Sequence, residues 1–512
     1  MAEETHLVVP MRGLIVFCTV TATIMQALDT TIATVALPYM QGSLAASQEQ
    51  INWVLTSYIV ASAIMTPPIG WLSARFGRRE IFLVSVVGFT AASMMCGLAT
   101  SLNEIVVFRL LQGVFGAGLV PMSQAIMLDI FPPSKQGPAM AMWGMGVMLG
   151  PILGPTLGGW LTENYGWRWV FFINLPIGIL TLLVAIAALP RAPRDPKIKL
   201  DWFGFALLSL AIGALQMMFD RGQEQQWFSS LEIIVECAVA ALCFYMYVVH
   251  SLTAERPFIS LELFRDRNLV SGLVFMFALG LVLLATLALL APYLQTMMGY
   301  PVFTAGILLG PRGLGTMLSM MIVGRLVHRM DPRLLIAFGV ALTAIAMWEM
   351  SGIDVNVSEF WIVRTGFIQG AGMGFIFVPM QIVAFATLPM RLRTDGAALL
   401  SLTRNIGSSI GISIVMFLLT RNISVMHADL AKFTSPFRPA ISALQGSPFS
   451  PTTGLGQAVF NQLVGQQAAI ISYADDFWMM FWVTLAIFPL ILLMKRPAHS
   501  HQGSGATAHA ME

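Results

Sequence analysis

Apolar stretches of about 20 residues, each long enough to cross a bilayer as a helix, recur along this chain with short polar connections between them. They fall at 12–37, 51–72, 80–100, 104–128, 137–160, 168–190, 202–219, 231–251, 269–297, 303–327, 333–351, 359–388, 396–420 and 477–494. The pattern predicts fourteen transmembrane helices, an all-α polytopic membrane protein. Basic residues sort by alternate connection: Arg12; then Arg75, Arg78 and Arg79; Lys135; Arg191, Arg194, Lys197 and Lys199; Arg256, Arg265 and Arg267; Arg325, Arg329 and Arg333; Arg391 and Arg393; Lys495 and Arg496. Intervening connections hold few, chiefly Arg168, Arg221, Arg421, Lys432 and Arg438. Cytoplasmic loops carry the excess of Lys and Arg, so both termini are expected in the cytoplasm, which requires an even number of spans.

The spans repeat. Gly70-Trp71-Leu72-Ser73-Ala74-Arg75-Phe76-Gly77-Arg78-Arg79 after the second span returns as Gly324-Arg325-Leu326-Val327-His328-Arg329-Met330-Asp331-Pro332-Arg333 after the tenth. Arg109, Gln112 and Gly113 return as Arg364, Gln369 and Gly370, and Gly150 and Gly154 as Gly407 and Gly411, at spacings between 254 and 257 residues. Two halves therefore share one plan: a six-helix bundle over 1–200, two inserted helices over 201–255, and a second six-helix bundle over 256–496 with a long loop at 421–476. Residues 497–512 read as a disordered tail. Parallel repeats with a site between them at mid-membrane describe a secondary transporter.

Composition narrows the class. Of 512 residues, 57% are hydrophobic and 11% charged, against about 25% charged in soluble domains. The formal net charge of +2 argues against a nucleic-acid binder driven by bulk charge. Cys18, Cys96, Cys237 and Cys243 all lie in apolar runs without a CxxC pair or zinc spacing, so neither a disulfide framework nor a metal site is expected, and no cofactor. The segment 1–12, with Glu3 and Glu4, leads straight into a full-length span and reads as an uncleaved cytoplasmic end.

The chemistry concentrates on polar residues inside spans. Asp29 is the one fully ionisable residue of the first span, and a carboxylate at that depth marks a functional site by default. Burial disfavours the charged form of a carboxyl, which suits a proton carrier; the plainer alternative is an Asp that fixes packing to a neighbouring helix. Gln26, Asp29 and Ala33 share a helix face, and that stripe should look into a cavity rather than lipid. Arg109 either snorkels to the outer interface or pairs with Glu104, or else sits near Asp29 and supports proton coupling. Candidate substrate contacts are Gln26, Gln112, Gln124, Tyr293, Gln381 and Arg312. Arg364 and Arg404 are further cations within spans.

Gating candidates form two groups. Arg75 and Arg78, with Gly77 permitting a tight reversal, stand at the inner surface either as topology anchors or as a latch against Asp129. In the fifth span Gly146, Gly150, Gly154 and Gly158 recur every four residues beside Pro151, Pro155 and Gly159, leaving one face bare for close helix approach. Pro67-Pro68 should break the second span. Trp167-Arg168-Trp169 reads as an interfacial anchor. The loop at 421–476, with a helical pattern near 458–465, is expected either to dock an extracytoplasmic partner or to act as a linker.

These residues resemble a known family. Residues 28–38 (LDTTIATVALP), 70–79 (GWLSARFGRR), 109–118 (RLLQGVFGAG) and 150–159 (GPILGPTLGG) are similar to the motif set of fourteen-span drug:proton antiporters of the major facilitator superfamily. Residues 167–178, 220–222 and 227–230 bring the chain near the EmrB-type exporters of Gram-negative bacteria. The resemblance implies a major facilitator fold with two inserted helices and a place in the bacterial inner membrane. It implies that Asp29 is the protonatable residue, Arg109 supports coupling, and 150–159 is the antiporter signature. It also implies a tripartite efflux pump, in which an EmrA-type periplasmic adaptor passes substrate to a TolC-type outer-membrane channel. Ala74 departs from the pattern, since the family has an acid there; a latch must then rely on Asp129 or other acids.

The expected function is export of hydrophobic drug-like compounds, and so antibiotic resistance, driven by protons across the lipid membrane. A narrow-substrate transporter of metabolites or siderophores is the alternative. Nothing in the motifs points to an enzyme.

Overall fold

In the computed structural model the described residues are 11–132, 135–191, 194–255, 257–327, 329–354, 356–434 and 453–493. They are helical throughout, without a strand among them. In chain order the helices are α1 (Arg12–Ser43), α2 (Gln48–Met65), α3 (Ile69–Phe76), α4 (Arg78–Leu98), α5 (Leu102–Gly116), α6 (Leu119–Ile130), α7 (Gln136–Tyr165), α8 (Trp169–Phe172) and α9 (Asn174–Ala188). They continue with α10 (Trp202–Arg221), α11 (Leu231–Thr253), α12 (Glu262–Arg265), α13 (Arg267–Pro292), α14 (Val302–Leu326), α15 (Pro332–Met350), α16 (Glu359–Phe385), α17 (Arg393–Ala431) and α18 (Gly454–Ala486). Thirteen stretches are long and apolar enough to span a membrane, and the bent pair α2–α3 brings the number to fourteen. The bend, 56°, falls at Pro67-Pro68, where the helix loses backbone donors and the rings crowd the preceding turn.

The helices pack as two sets, α1–α9 and α12–α18, meeting through α7 against α14 and α16, and through α3 and α6 against α17. Between them stands α10, which lies against both α2 and α17. Thr56 of α2 donates to Asp220, while Gln216 donates to Ser409 of α17 at 2.6 Å and Ser413 to the Phe219 carbonyl at 2.5 Å. The inserted helix is thus a strut tied by hydrogen bonds to both sets, with α11 packed on its outer side.

The long loop expected at 421–476 is a correction. α17 continues to Ala431 and α18 begins at Gly454, and His427 and Asn461 meet at 2.9 Å between them. At 1.5 Å per residue the 39 residues of α17 reach about 58 Å, well beyond a hydrocarbon core of about 30 Å. The two helices therefore stand off the membrane as a hairpin. Its polar segments escape an apolar-run reading because no lipid surrounds them. Arg256, His328, Arg438, Lys495, Arg496 and the tail 497–512 lie outside the described residues.

Candidate functional site

Asp29, in the middle of α1, is fully buried, and so is Arg109 of α5. Arg109 Nη1 donates to Asp29 Oδ2 at 2.6 Å. The other carboxylate oxygen accepts from Gln112 Nε2 at 2.8 Å and from Asn174 Nδ2 of α9 at 3.1 Å. Behind these contacts the network continues. Arg109 Nη1 reaches Gln112 Oε1 at 2.9 Å and its Nε donates to the Val54 carbonyl at 3.0 Å. The guanidinium lies 4.3 Å from the Tyr58 ring centre, and Gln26 donates to the Tyr58 hydroxyl at 3.2 Å. Asn174 also bonds Ser93, which bonds the Phe171 carbonyl. A buried ion pair is favourable only with further hydrogen bonds around it; here three donor side chains from two helices, α5 and α9, converge on one carboxylate, while Arg109 Nη2 is buried without a partner.

Two sequence expectations change here and one alternative is resolved. Asp29 faces neither lipid nor an open cavity; it looks into the interior of the first helix set, because α5 and α9 supply its donors. Of the two readings of Arg109 the structure has the one beside Asp29, and Glu104 instead accepts from Thr100 at 2.8 Å. Gln112 is committed to Asp29 and Arg109 and does not line a passage. Asn174, within the 167–178 motif, escaped the sequence reading; the signal was an amide inside an apolar run.

The glycine face of α7 packs on the turn that carries Asp29. A Cβ at Gly150 would overlap the Ala27 backbone, one at Gly154 the Thr31 hydroxyl, and one at Gly158 would lie 2.8 Å from Ile32. Thr31 donates to the Gly150 carbonyl at 2.9 Å. Gly159 is the exception: a Cβ there meets no atom within 4 Å, so it does not belong to this face. The opposite side of α7 meets α14, with Pro155 3.6 Å from a Cβ built on Gly306 and Ile152 against Gly313. Pro151 is half-buried beside it.

At the end of the bundle rich in arginine, Asp129 of α6 pairs with Arg78 of α4. It also accepts from Arg393 of α17 at 3.0 Å. Beside them the carboxyl of Asp395 occupies the space that any side chain at Gly70 would need. Arg393 and Asp395 escaped the sequence reading, in which Arg393 served only as a topology marker. Arg75 does not join this cluster. It donates to the carbonyls of Pro196 and Ile198 at 2.9 and 2.6 Å and covers Trp71. Gly77 has φ of +103°, a backbone region that disfavours side chains, and turns α3 into α4. Deeper in, Gln124 donates to Gln381 at 2.5 Å across the two sets, both buried, and Trp143 stacks on Phe377.

The remaining candidates separate. Tyr293 is fully buried, its hydroxyl donated to the Asp354 carbonyl at 2.5 Å and its ring against Tyr473, so it packs within the second set rather than lining a passage. Arg364 is half-exposed and pairs with Glu349 at 2.9 Å; it is no intramembrane cation of the Arg109 kind. Arg312 is buried in the middle of α14, bonded to the Leu283 carbonyl at 2.8 Å. Asp476 of α18, 1% exposed, has no partner for either carboxylate oxygen. Among the described residues no cluster of His, Cys, Asp or Glu could hold a metal.

This arrangement, two packed helix sets around a buried carboxylate–guanidinium pair, defines a multi-pass membrane transporter. The profile of the Major Facilitator Superfamily matches residues 19–412, and the chain belongs to that family. It is 36% identical over 500 residues to the multidrug export protein EmrB of Escherichia coli (strain K12), covering 95% of this chain and 96% of that protein. EmrB of Haemophilus influenzae is 34% identical over 482 residues, covering 93% and 94%. The solved structure of the proton:xylose symporter XylE superposes with a TM-score of 0.57 at 14% identity, covering 91% and 95%, a likeness of fold. Within the superfamily the chain falls in the EmrB-type branch of multidrug exporters.

Proposed function

We propose that this protein exports hydrophobic drug-like compounds across the bacterial inner membrane in exchange for protons, with both termini in the cytoplasm. The observation that carries the reading is the Asp29–Arg109 pair, sealed from solvent and met by Gln112 and Asn174. A proton arriving on Asp29 Oδ2 removes the charge that holds Arg109 Nη1. The guanidinium keeps its bonds to the Val54 carbonyl and Gln112, so it relaxes toward α2 and α5. The freed turn of α1 carries Ala27 and Thr31, against which Gly150 and Gly154 rest. α7 transmits the change to α14 and so to the second set.

In this state the arginine-rich end is closed by Asp129–Arg393 and Gln124–Gln381. Cargo then binds and leaves between the sets, where Gln26, Gln124, Gln381 and Arg312 supply polar contacts in an otherwise apolar wall. The hairpin formed by α17 and α18 offers a surface for an EmrA-type adaptor leading to a TolC-type channel.

The test uses purified protein in detergent with a pH indicator. Adding a substrate drug should release protons from the wild type and not from Asp29→Asn. Equal release from both would remove Asp29 from its role.

A further inference from the structure

Arg78 and Arg79 open α4 side by side, and only the first has an acid. Arg78 is paired with Asp129, whereas among the described residues no Asp or Glu lies within ion-pairing reach of Arg79. Arg79 Nη2 instead crosses to the Ile186 carbonyl of α9 at 2.7 Å, and its Nε is buried without a partner. A guanidinium carries five N–H donors, and one carbonyl meets one of them. Glu80, next along the chain, folds back over Gly77, where any side chain would strike its carboxylate. The charge of Arg79 is thus left for something outside the protein.

A groove runs from Arg79 toward mid-membrane. Leu83 and Val87 follow Arg79 at four-residue steps, on one face of α4. With Gly88, Phe115 of α5, and Leu182 and Ile186 of α9 they line a cavity of about 450 Å³ whose walls are wholly apolar. Gly88 gives it depth, since the Phe115 ring occupies the space that a Cβ there would need. Val87 and Ile186 are 48% and 49% exposed, so the groove opens outward, to lipid. From Arg79 to Gly88 the helix rises about 14 Å, half of a hydrocarbon core of about 30 Å; the groove therefore occupies one leaflet. Arg191, five residues past Ile186 and exposed, stands where α9 leaves the membrane at the same end.

We infer that this groove holds an acyl chain of an anionic phospholipid from the leaflet at the arginine-rich end, with the phosphate on Arg79 and Arg191. Charge and length together select the occupant. Arginine meets phosphate with paired, charge-assisted donors, and basic positions between membrane helices at the cytoplasmic side recognise anionic headgroups. The apolar walls refuse a polar ligand, and their length matches a chain that ends at the bilayer midplane. Bound there, the lipid spans α4 and α9 as the Arg79–Ile186 contact does. The site belongs to the outer side of the first set and is separate from the passage between the sets.

The experiment places the full-length protein in phosphatidylcholine nanodiscs with a trace of photoactivatable phosphatidylglycerol or phosphatidylcholine, both carrying the same diazirine-bearing chain. After irradiation, mass spectrometry locates the adducts by peptide. At equal lipid, phosphatidylglycerol should label residues 83–88 and 182–186 of the wild type at least about tenfold more than phosphatidylcholine, the scale of one charge-assisted hydrogen bond. Arg79→Gln should bring the phosphatidylglycerol signal in the groove close to that of phosphatidylcholine, and Arg79→Lys should keep part of the excess. Val87→Trp should reduce labelling there by both lipids while labelling of α11 stays as it was. Equal labelling by the two lipids in the wild type, an undiminished excess in Arg79→Gln, or a groove without adducts overturns the proposal. The wild-type comparison stands even if the Gln variant fails to fold.

Discussion

Arg393, at the first turn of α17, donates to Asp129, at the last turn of α6, at 3.0 Å, and among the described residues this is the one ion pair that joins the two helix sets. Asp129 is shared, since Arg78 of its own set holds the same carboxylate. The two side chains of the bridging pair are 16% and 19% exposed, enough burial to lift the pair above a surface contact. Arg393→Ala is expected to cost the closed state about 1–2 kcal/mol. It should shift the population several-fold toward opening at the arginine-rich end, read as faster labelling of a cysteine introduced in α3. Unchanged labelling would show that Gln124–Gln381 and apolar packing close that end without the pair.

Breaking the central pair should be asymmetric. Arg109→Ala leaves the Asp29 charge buried and removes a stacked guanidinium, so a loss of about 3–5 kcal/mol is expected. Asp29→Asn keeps an acceptor for Gln112 and Asn174 and should lose less stability while losing proton coupling. Thermal unfolding of the two purified variants orders them; the reverse order would contradict the network described here.

The glycine face of α7 gives a graded test. Gly150→Val must displace the α1 backbone beside Ala27, an overpacking cost of about 1–3 kcal/mol. Gly159→Ala meets open space and should leave unfolding temperature and transport as they are. A damaging Gly159→Ala would mean that the face extends further than the geometry gives.

Asp476 should behave unlike Asp29. With no partner on either oxygen, its ionised form gains nothing from its surroundings, and Asp476→Asn is expected to change stability by less than about 1 kcal/mol. A large loss would reveal a partner acting in another state of the cycle.

The proposed docking of an adaptor on the hairpin has its own test. Leu455 and Leu463 are 57% and 50% exposed on α18. Changing both to Ser should weaken copurification of an EmrA-type adaptor about tenfold while leaving drug-induced proton release intact. Undiminished copurification would move the contact elsewhere.

The spans, the repeat and Asp29 were legible because lipid imposes a simple code: apolar runs, a charge bias and few internal charges. Arg109 was legible as a residue but not in its pairing, since either end of a side chain that long is accessible until α5 is placed beside α1. Arg393 and Asp395 were invisible as functional residues, because their meaning arises only where α17 meets α3 and α6 across 264 residues of sequence separation. Tyr293 misled for a related reason: a polar tip in a span can serve a neighbouring carbonyl as readily as a ligand. The helices beyond the membrane left no apolar trace at all.

The two sides of α7 have one last consequence. Its glycine side is interlocked with α1 so closely that neither helix can slide or roll without the other, so the pair must travel as a single rod. Its other side is fitted to the second set, with Ile152 seated where a Cβ on Gly313 would have to be. A crosslink between α7 and α14 would therefore tie the two halves together, while one between α7 and α1 would join helices that already travel as one and leave transport running.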